Sequence, residues 1–289
     1  VFCHEFSHCM GLPDMYDTNY SNTPTMGDWD LLASGSYNGP NGIGWCPAGW
    51  TSYERAYAGW LDIEELKAGD IITGMKDLED YEGKAYAIYN DNHRDEFYLL
   101  ENHKNQGWDA YTPEGGLLVI HVDYDKALFD NNIVNSKGTF TPAQGYDGIY
   151  TNDHPRMAPF SKIRSVTNET YYYTYPMEAP RGVLDSLTNV SKPAATLYNA
   201  LADGSTLMGK PIYNIKKDAE TGDISFSFMT KDTGAETAVR EIPYTEDSFS
   251  AEDNVYDLTG KLVGKRAGSL KPGIYIIGNK GRTRKIIVR

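Results

Sequence analysis

The sequence predicts an α+β protein, helical at its start and built of short strands after that. Three observations carry this. His4 and His8 stand four apart, a helical spacing, and Tyr53, Ala56, Tyr57 and Trp60 fall on one face of a second helical segment. From residue 63 on, short apolar runs alternate with Gly, Asp and Asn turn signals. The tail from Asn254 repeats that strand pattern.

The second helix is expected from Ser52 to Trp60, with Ser52 as its cap. A Gly-rich loop, Ser34 to Gly49, precedes it. Strands are expected at Ala85-Tyr86-Ala87-Ile88-Tyr89, Glu96-Phe97-Tyr98-Leu99-Leu100, Leu117 to Val122 and Ile224-Ser225-Phe226-Ser227-Phe228. The run from Leu117 to Val122 lacks alternation apart from His121, so it reads as a central strand. The organisation that follows is a helical unit at 1–62, a β-sandwich at 63–230, a linker at 231–248 and a small β unit at 249–289.

Composition removes several function classes. The chain has 289 residues, 40% of them hydrophobic, enough for two domains and a small third. No apolar run approaches the roughly 18–20 residues that span a bilayer. A formal net charge of -13 without a basic cluster argues against nucleic acid as a partner. Three cysteines, Cys3, Cys9 and Cys46, leave room for one disulfide at most. The first residues, Val-Phe-Cys-His-Glu, begin inside the expected helix, so the chain reads as a fragment lacking upstream sequence.

His4-Glu5-Phe6-Ser7-His8 is where the chemistry concentrates. A helix puts both imidazoles on one face, where both can reach one zinc ion. Glu5 is poorly placed as a ligand but well placed to take a proton from a zinc-activated water. HExxH alone leaves open a pair of histidines that bind nothing. Here it extends to H-E-x-x-H-x-x-G-x-x-D: Gly11 permits the helix to break, Pro13 bars its continuation, and Asp14 brings an oxygen ligand.

Residues 4–17, His-Glu-Phe-Ser-His-Cys-Met-Gly-Leu-Pro-Asp-Met-Tyr-Asp, resemble the signature of the immune inhibitor A family of secreted bacterial metallopeptidases, within the metzincins. The resemblance implies a zinc endopeptidase with ligands His4, His8 and Asp14 and the general base Glu5. It makes residues 1–62 the C-terminal part of a metzincin-like catalytic domain. Trp29-Asp30-Leu31-Leu32-Ala33-Ser34-Gly35-Ser36 resembles the family's Met-turn, with Leu32 where the family usually carries Met. Such a swap costs under about 1.5 kcal/mol, so Leu32 is expected to floor the site, with Met26 as the less well spaced alternative. Tyr37 is a candidate oxyanion donor by analogy with a tyrosine near the Met-turn of some metzincins. The runs Phe97 to Asn102, Gly115 to Asp123 and Pro211 to Ile215 are similar to the family's β-domain.

The tail, Asn254 to Lys261, Pro272 to Ile277 and Lys285 to Arg289, resembles the sorting domain of the type IX secretion system of Bacteroidetes-like bacteria. That implies export to the cell surface or medium and the secretion machinery as a partner. An ordinary β accessory domain is the alternative.

Weaker signals remain. Asp17, Asp28 and Asp30 could bind Ca2+ or brace the ligand histidines, though solvated turn carboxylates are the favoured reading. His121 and Asp123 share a strand face and suit a structural role better than a second metal. Cys3 and Cys9 are expected to pack. The substrate expected is a protein or peptide. The rivals are an inactive adhesion or carbohydrate-binding protein with a relic zinc site, and a non-proteolytic zinc hydrolase.

Overall fold

Among the described residues, the three α-helices are short and end alike. α1 (Phe2–Cys9), α2 (Ser52–Tyr57) and α3 (Lys126–Asp130) are followed by Gly11, Gly59 and Asn132, all at positive φ (92°, 72° and 58°). In each, the next amide reaches back to the helix: Leu12 to Ser7, Trp60 to Arg55, and Ile133 to Leu128. These are Schellman caps, in which a left-handed residue lets two amides satisfy the last carbonyls. The computed structural model describes residues 1–160, 174–179, 182–232, 253–265, 270–271, 273–279 and 282–288. Most of the expected linker lies outside the described residues.

The chain is mixed α+β and dominated by sheets. Among the described residues, twelve strands precede the tail: β1 (Ile63–Glu65), β2 (Ile71–Met75), β3 (Ala85–Tyr89), β4 (Glu96–His103), β5 (Gly116–Asp123), β6 (Gly138–Phe140), β7 (Tyr150–Asn152), β8 (Met157–Pro159), β9 (Met177–Ala179), β10 (Gly182–Leu184), β11 (Ile212–Lys217) and β12 (Ile224–Phe228). A five-stranded sheet runs β1-β3-β4-β5-β8 and a three-stranded sheet β11-β12-β2; β6-β7 and β9-β10 are two-stranded ribbons. β4 and β5 pair antiparallel over their full length, from Glu96 opposite Asp123 to His103 opposite Gly116.

The five-stranded sheet is covered on both faces. Tyr86, Tyr98, Leu100, Leu117 and Val119 point into a core shared with Ile212, Ile224, Phe226 and Phe228 of the three-stranded sheet. Ala87, Leu99, Leu118, Ile120 and Val122 point the other way, onto Leu12, Met15, Met26, Trp29 and Leu32. Every residue of β5 is therefore buried, which explains the apolar run from Leu117 to Ile120. Residues 12–33 sit directly on this sheet, and Val1–Gly234 forms one compact unit.

Three local expectations are corrected. The cap position of α2 is Thr51, not Ser52, and the Thr51 hydroxyl donates to the Glu54 carboxylate. Ser52 instead uses its backbone N–H to bond Glu101 Oε2 at 2.7 Å, so it already lies inside the helix. The expected apolar face of α2 is only partly used. Tyr53 packs on the core while Tyr57 and Trp60 are exposed, because the side turned inward carries Ser52 and Glu54. Cys3 and Cys9 are exposed free thiols, since α1 turns only His4 and Ser7 fully inward.

Ala235–Arg289 is a second compact unit. Its strands β13 (Asn254–Tyr256), β14 (Leu262–Lys265), β15 (Gly273–Asn279) and β16 (Arg282–Val288) form an antiparallel sheet in the order β14-β13-β15-β16. Asp257 organises the turn after β13, its Oδ1 accepting from the amides of Thr259 and Lys261.

Candidate metal centre

α1 presents His4 and His8 one turn apart, and the cap at Gly11 sends the chain back so that Asp14 faces both rings. Gly11 is favoured on two counts. It is left-handed, and a Cβ there would lie 2.7 Å from the Tyr57 hydroxyl. Asp14 Oδ1 stands 3.1 Å from His4 Nε2 and 3.2 Å from His8 Nε2.

The other nitrogen of each ring is fixed. His4 Nδ1 donates to the Leu31 carbonyl at 2.8 Å and His8 Nδ1 to the Leu12 carbonyl at 2.8 Å. A carbonyl only accepts, so each Nδ1 carries a hydrogen, and in the neutral ring each Nε2 then directs its lone pair at the shared space. Asp14 Oδ1 is buried and has no hydrogen-bond partner although two nitrogens lie within 3.2 Å. Two lone pairs and an orphaned carboxylate oxygen, turned toward one point, form a donor set suited to a cation. Among the described residues, these three are the grouping of His, Cys, Asp or Glu whose donor atoms lie within 4.8 Å of one another. The imidazole–imidazole–carboxylate set fits zinc with a position left open.

Glu5 is on α1 beside His4 and exposed, free to meet a substrate or water. Leu32 is fully buried, in one cluster with Met15 and Met26, so the candidate floor and its alternative share one site. The Leu32 carbonyl accepts from Met15 N at 2.8 Å, tying the turn to the segment that carries Asp14. Tyr37 is exposed at the end of a 3-10 turn, Ser34–Tyr37. The phenol that meets the ligands is Tyr16, which stacks 6.3 Å from the His4 ring. Its ionisation is pushed up by partial burial and then by the neighbouring charge of Asp14. Asp17 is spent on its own turn, accepting from Ser21 and Thr23.

Residues 1–60 match the family described as immune inhibitor A peptidase M6, catalytic domain. The similarity covers the metal centre and its supporting turn. Pre-pro-metalloprotease PrtV of Vibrio cholerae serotype O1 is 32% identical to this chain over 78 residues, in strain M66-2 and in strain ATCC 39315 / El Tor Inaba N16961 alike. That stretch is 25% of this chain and 8% of the relative. No solved structure matches. The family and the relative point to a metallopeptidase, and so to a protein substrate and a metal.

Behind the centre lies a buried polar layer, and Asp30 belongs to it instead of being the solvated turn carboxylate expected. Asp30 and Glu54 are fully buried with carboxylates in contact. Burial and then the neighbouring Glu54 push Asp30 well up, and burial pushes Glu54 up to about 7. Each has one oxygen without a donor, the arrangement of two carboxyl groups sharing a proton. His103 sits between Asp109 and Glu101, at 2.6 and 2.8 Å. Burial alone would depress its basicity, but the two carboxylates hold it well above the usual value. Leu32 N donates to Asp30 Oδ1 at 2.8 Å, so this layer anchors the turn whose Leu31 carbonyl orients His4.

His121 and Asp123 hold a loop. His121 bonds Glu96 at 2.8 Å and stacks on Tyr198, while Asn199 donates to Asp123 at 2.9 Å. Among the described residues, no helix is long and apolar enough to cross a membrane.

Proposed function

We propose that this chain carries the zinc centre of an endopeptidase, with His4, His8 and Asp14 as ligands and Glu5 as general base. The observation that carries the reading is the buried, unbonded Asp14 Oδ1 facing two imidazole lone pairs. The match of residues 1–60 and the Vibrio relative support it.

Zinc, when bound, supplies a Lewis acid that polarises a peptide carbonyl and makes water easier to deprotonate. The remaining steps belong to side chains of this chain. Glu5 accepts a proton from the attacking water as the carbon–oxygen bond forms, then returns it to the amine nitrogen as the carbon–nitrogen bond breaks. The carbonyls of Leu31 and Leu12 hold His4 and His8 in one tautomer throughout. Leu32 floors the ligands from the apolar cluster beneath.

Export is part of the proposal, with the separate β unit of the tail as a sorting signal for the type IX machinery. Zinc stoichiometry and casein hydrolysis by the full-length protein, measured together, test the central reading, and residues 1–289 alone should hydrolyse weakly or not at all. Hydrolysis should vanish in excess chelator and return with zinc; hydrolysis that persists there removes the metal from the mechanism.

A further inference from the structure

We infer that Asn132 is a positioning residue for the metal centre, gripping Asp14 from 118 residues away. The inference deepens the zinc reading and rests on Asp14 being a ligand. Asn132 Nδ2 donates to Asp14 Oδ2 at 2.7 Å, and Asn132 Oδ1 accepts from the Asp14 backbone N–H at 2.6 Å. One amide therefore binds both the carboxylate and the backbone of a single residue. It engages Oδ2 and leaves Oδ1, the oxygen facing the histidines, unbonded. The carboxylate is thereby turned to offer one defined oxygen.

The caps supply an independent argument. All three helices end in the same left-handed motif, and glycine occupies that position in α1 and α2. Glycine meets the conformation at the lowest cost. In α3 the position holds Asn132, which tolerates the left-handed region less well but brings an amide that glycine lacks. The cap position accepts glycine or asparagine, and of the two only asparagine brings an amide that can grip Asp14.

The contact does not stand alone. Residues 14–21 and 132–137 run side by side. Thr18 N donates to Ser136 Oγ at 2.7 Å, Asn135 Nδ2 to the Met15 carbonyl at 2.8 Å, Asn19 Nδ2 to the Lys137 carbonyl at 3.0 Å, and Lys137 N to Ser21 Oγ at 2.9 Å. This zipper sets the register that brings Asn132 to Asp14, so the third ligand is held from outside the zinc helix and its turn.

The test compares N132G, N132D, S136A and D14A in the full chain. Zinc affinity is read by competition with a chromophoric chelator, the ligand field by the visible spectrum of the Co2+ form, and folding by melting of the apo-protein. N132G keeps the cap and loses the amide. It should melt like the parent yet bind zinc about 10–100-fold more weakly, with an altered Co2+ spectrum. N132D tolerates the same backbone but cannot donate to Asp14, and should lose at least as much. S136A removes one rung of the zipper and leaves the other three and both Asn132 bonds, so it should change zinc affinity less than about 3-fold. Parental affinity in N132G and N132D, with D14A weakened, overturns the inference and leaves the metal centre standing. Equal losses in S136A and N132G also overturn it, because the effect would then be one of docking. If D14A itself binds zinc normally, the ligand assignment fails and the inference with it.

Discussion

Replacing Glu54 by Gln should change how stability depends on pH. In the unfolded chain this carboxyl ionises near 4.5, and burial in the folded protein pushes it up to about 7. The folded state then binds more protons than the unfolded one between these values, so rising pH favours unfolding across that window. A gap of about 2.5 pH units at 1.36 kcal/mol each gives about 3 kcal/mol, complete by about pH 7 and absent below about pH 4.5. Glu54→Gln keeps the shape, lets the amide donate to the carboxylate of Asp30, and still accepts from Thr51. The variant should match the parent near pH 4 and exceed it by up to about 3 kcal/mol at pH 8. Urea unfolding of the zinc-free protein at a series of pH values measures this, with the fluorescence of buried Trp29 reporting the unit that contains Glu54. Parallel curves for parent and variant would refute the assignment of a proton to this carboxyl pair.

Other outcomes are expected. Glu5→Gln should reduce turnover by at least about 10²-fold while zinc stoichiometry stays at the parental value, since the ligands are untouched; normal turnover would remove Glu5 as base. Gly11→Ala should destabilise the apo-protein by more than about 1 kcal/mol and weaken zinc binding, because the residue is left-handed and its new Cβ meets the Tyr57 hydroxyl; an unchanged melting temperature would contradict this. Glu96 is held down to about 2: burial alone would raise it, but bonds from His121, Tyr198 N and Asn90 prevail, so it contributes stability that is lost as pH falls from about 4.5 toward 2. Glu96→Gln should flatten that acid limb, and an acid limb of unchanged steepness would argue against it. Deleting 235–289 should leave hydrolysis intact and block export from the native host; retained export refutes the sorting role.

The helix that carries the candidate ligands and the main strands were legible because each is written locally. His4, His8, Gly11 and Asp14 lie within eleven residues, and the strands carry unbroken or alternating apolar runs. What escaped detection depends on contacts between distant segments. Asn132 reads as one more turn asparagine, and nothing near it in sequence points to Asp14. Glu101 and His103 look like the frayed, solvated end of a strand, yet both are buried because Asp109 and the start of α2 close over them. Glu54 hid for the opposite reason. The aromatic face of α2 drew the reading toward Tyr57 and Trp60, while the inward side is polar and satisfied by partners that sequence spacing does not reveal. Tyr16 was overlooked beside the more familiar position of Tyr37.

The sheet that backs the metal centre is also the wall of a second core, and this bears on how the protein can be recombined. The match to the catalytic-domain family ends at residue 60, an inviting place to cut when grafting the centre onto another scaffold. A cut there would strip Leu12, Met15, Trp29 and Leu32 of Leu99, Leu118 and Ile120, and Asp14 of Asn132. The transplanted piece would arrive with its ligands but without their support. The smallest portable unit ends near Gly234, where the first compact body does. Chimeras joined at 60 should be insoluble or metal-poor, and those joined at 234 should keep the centre whole.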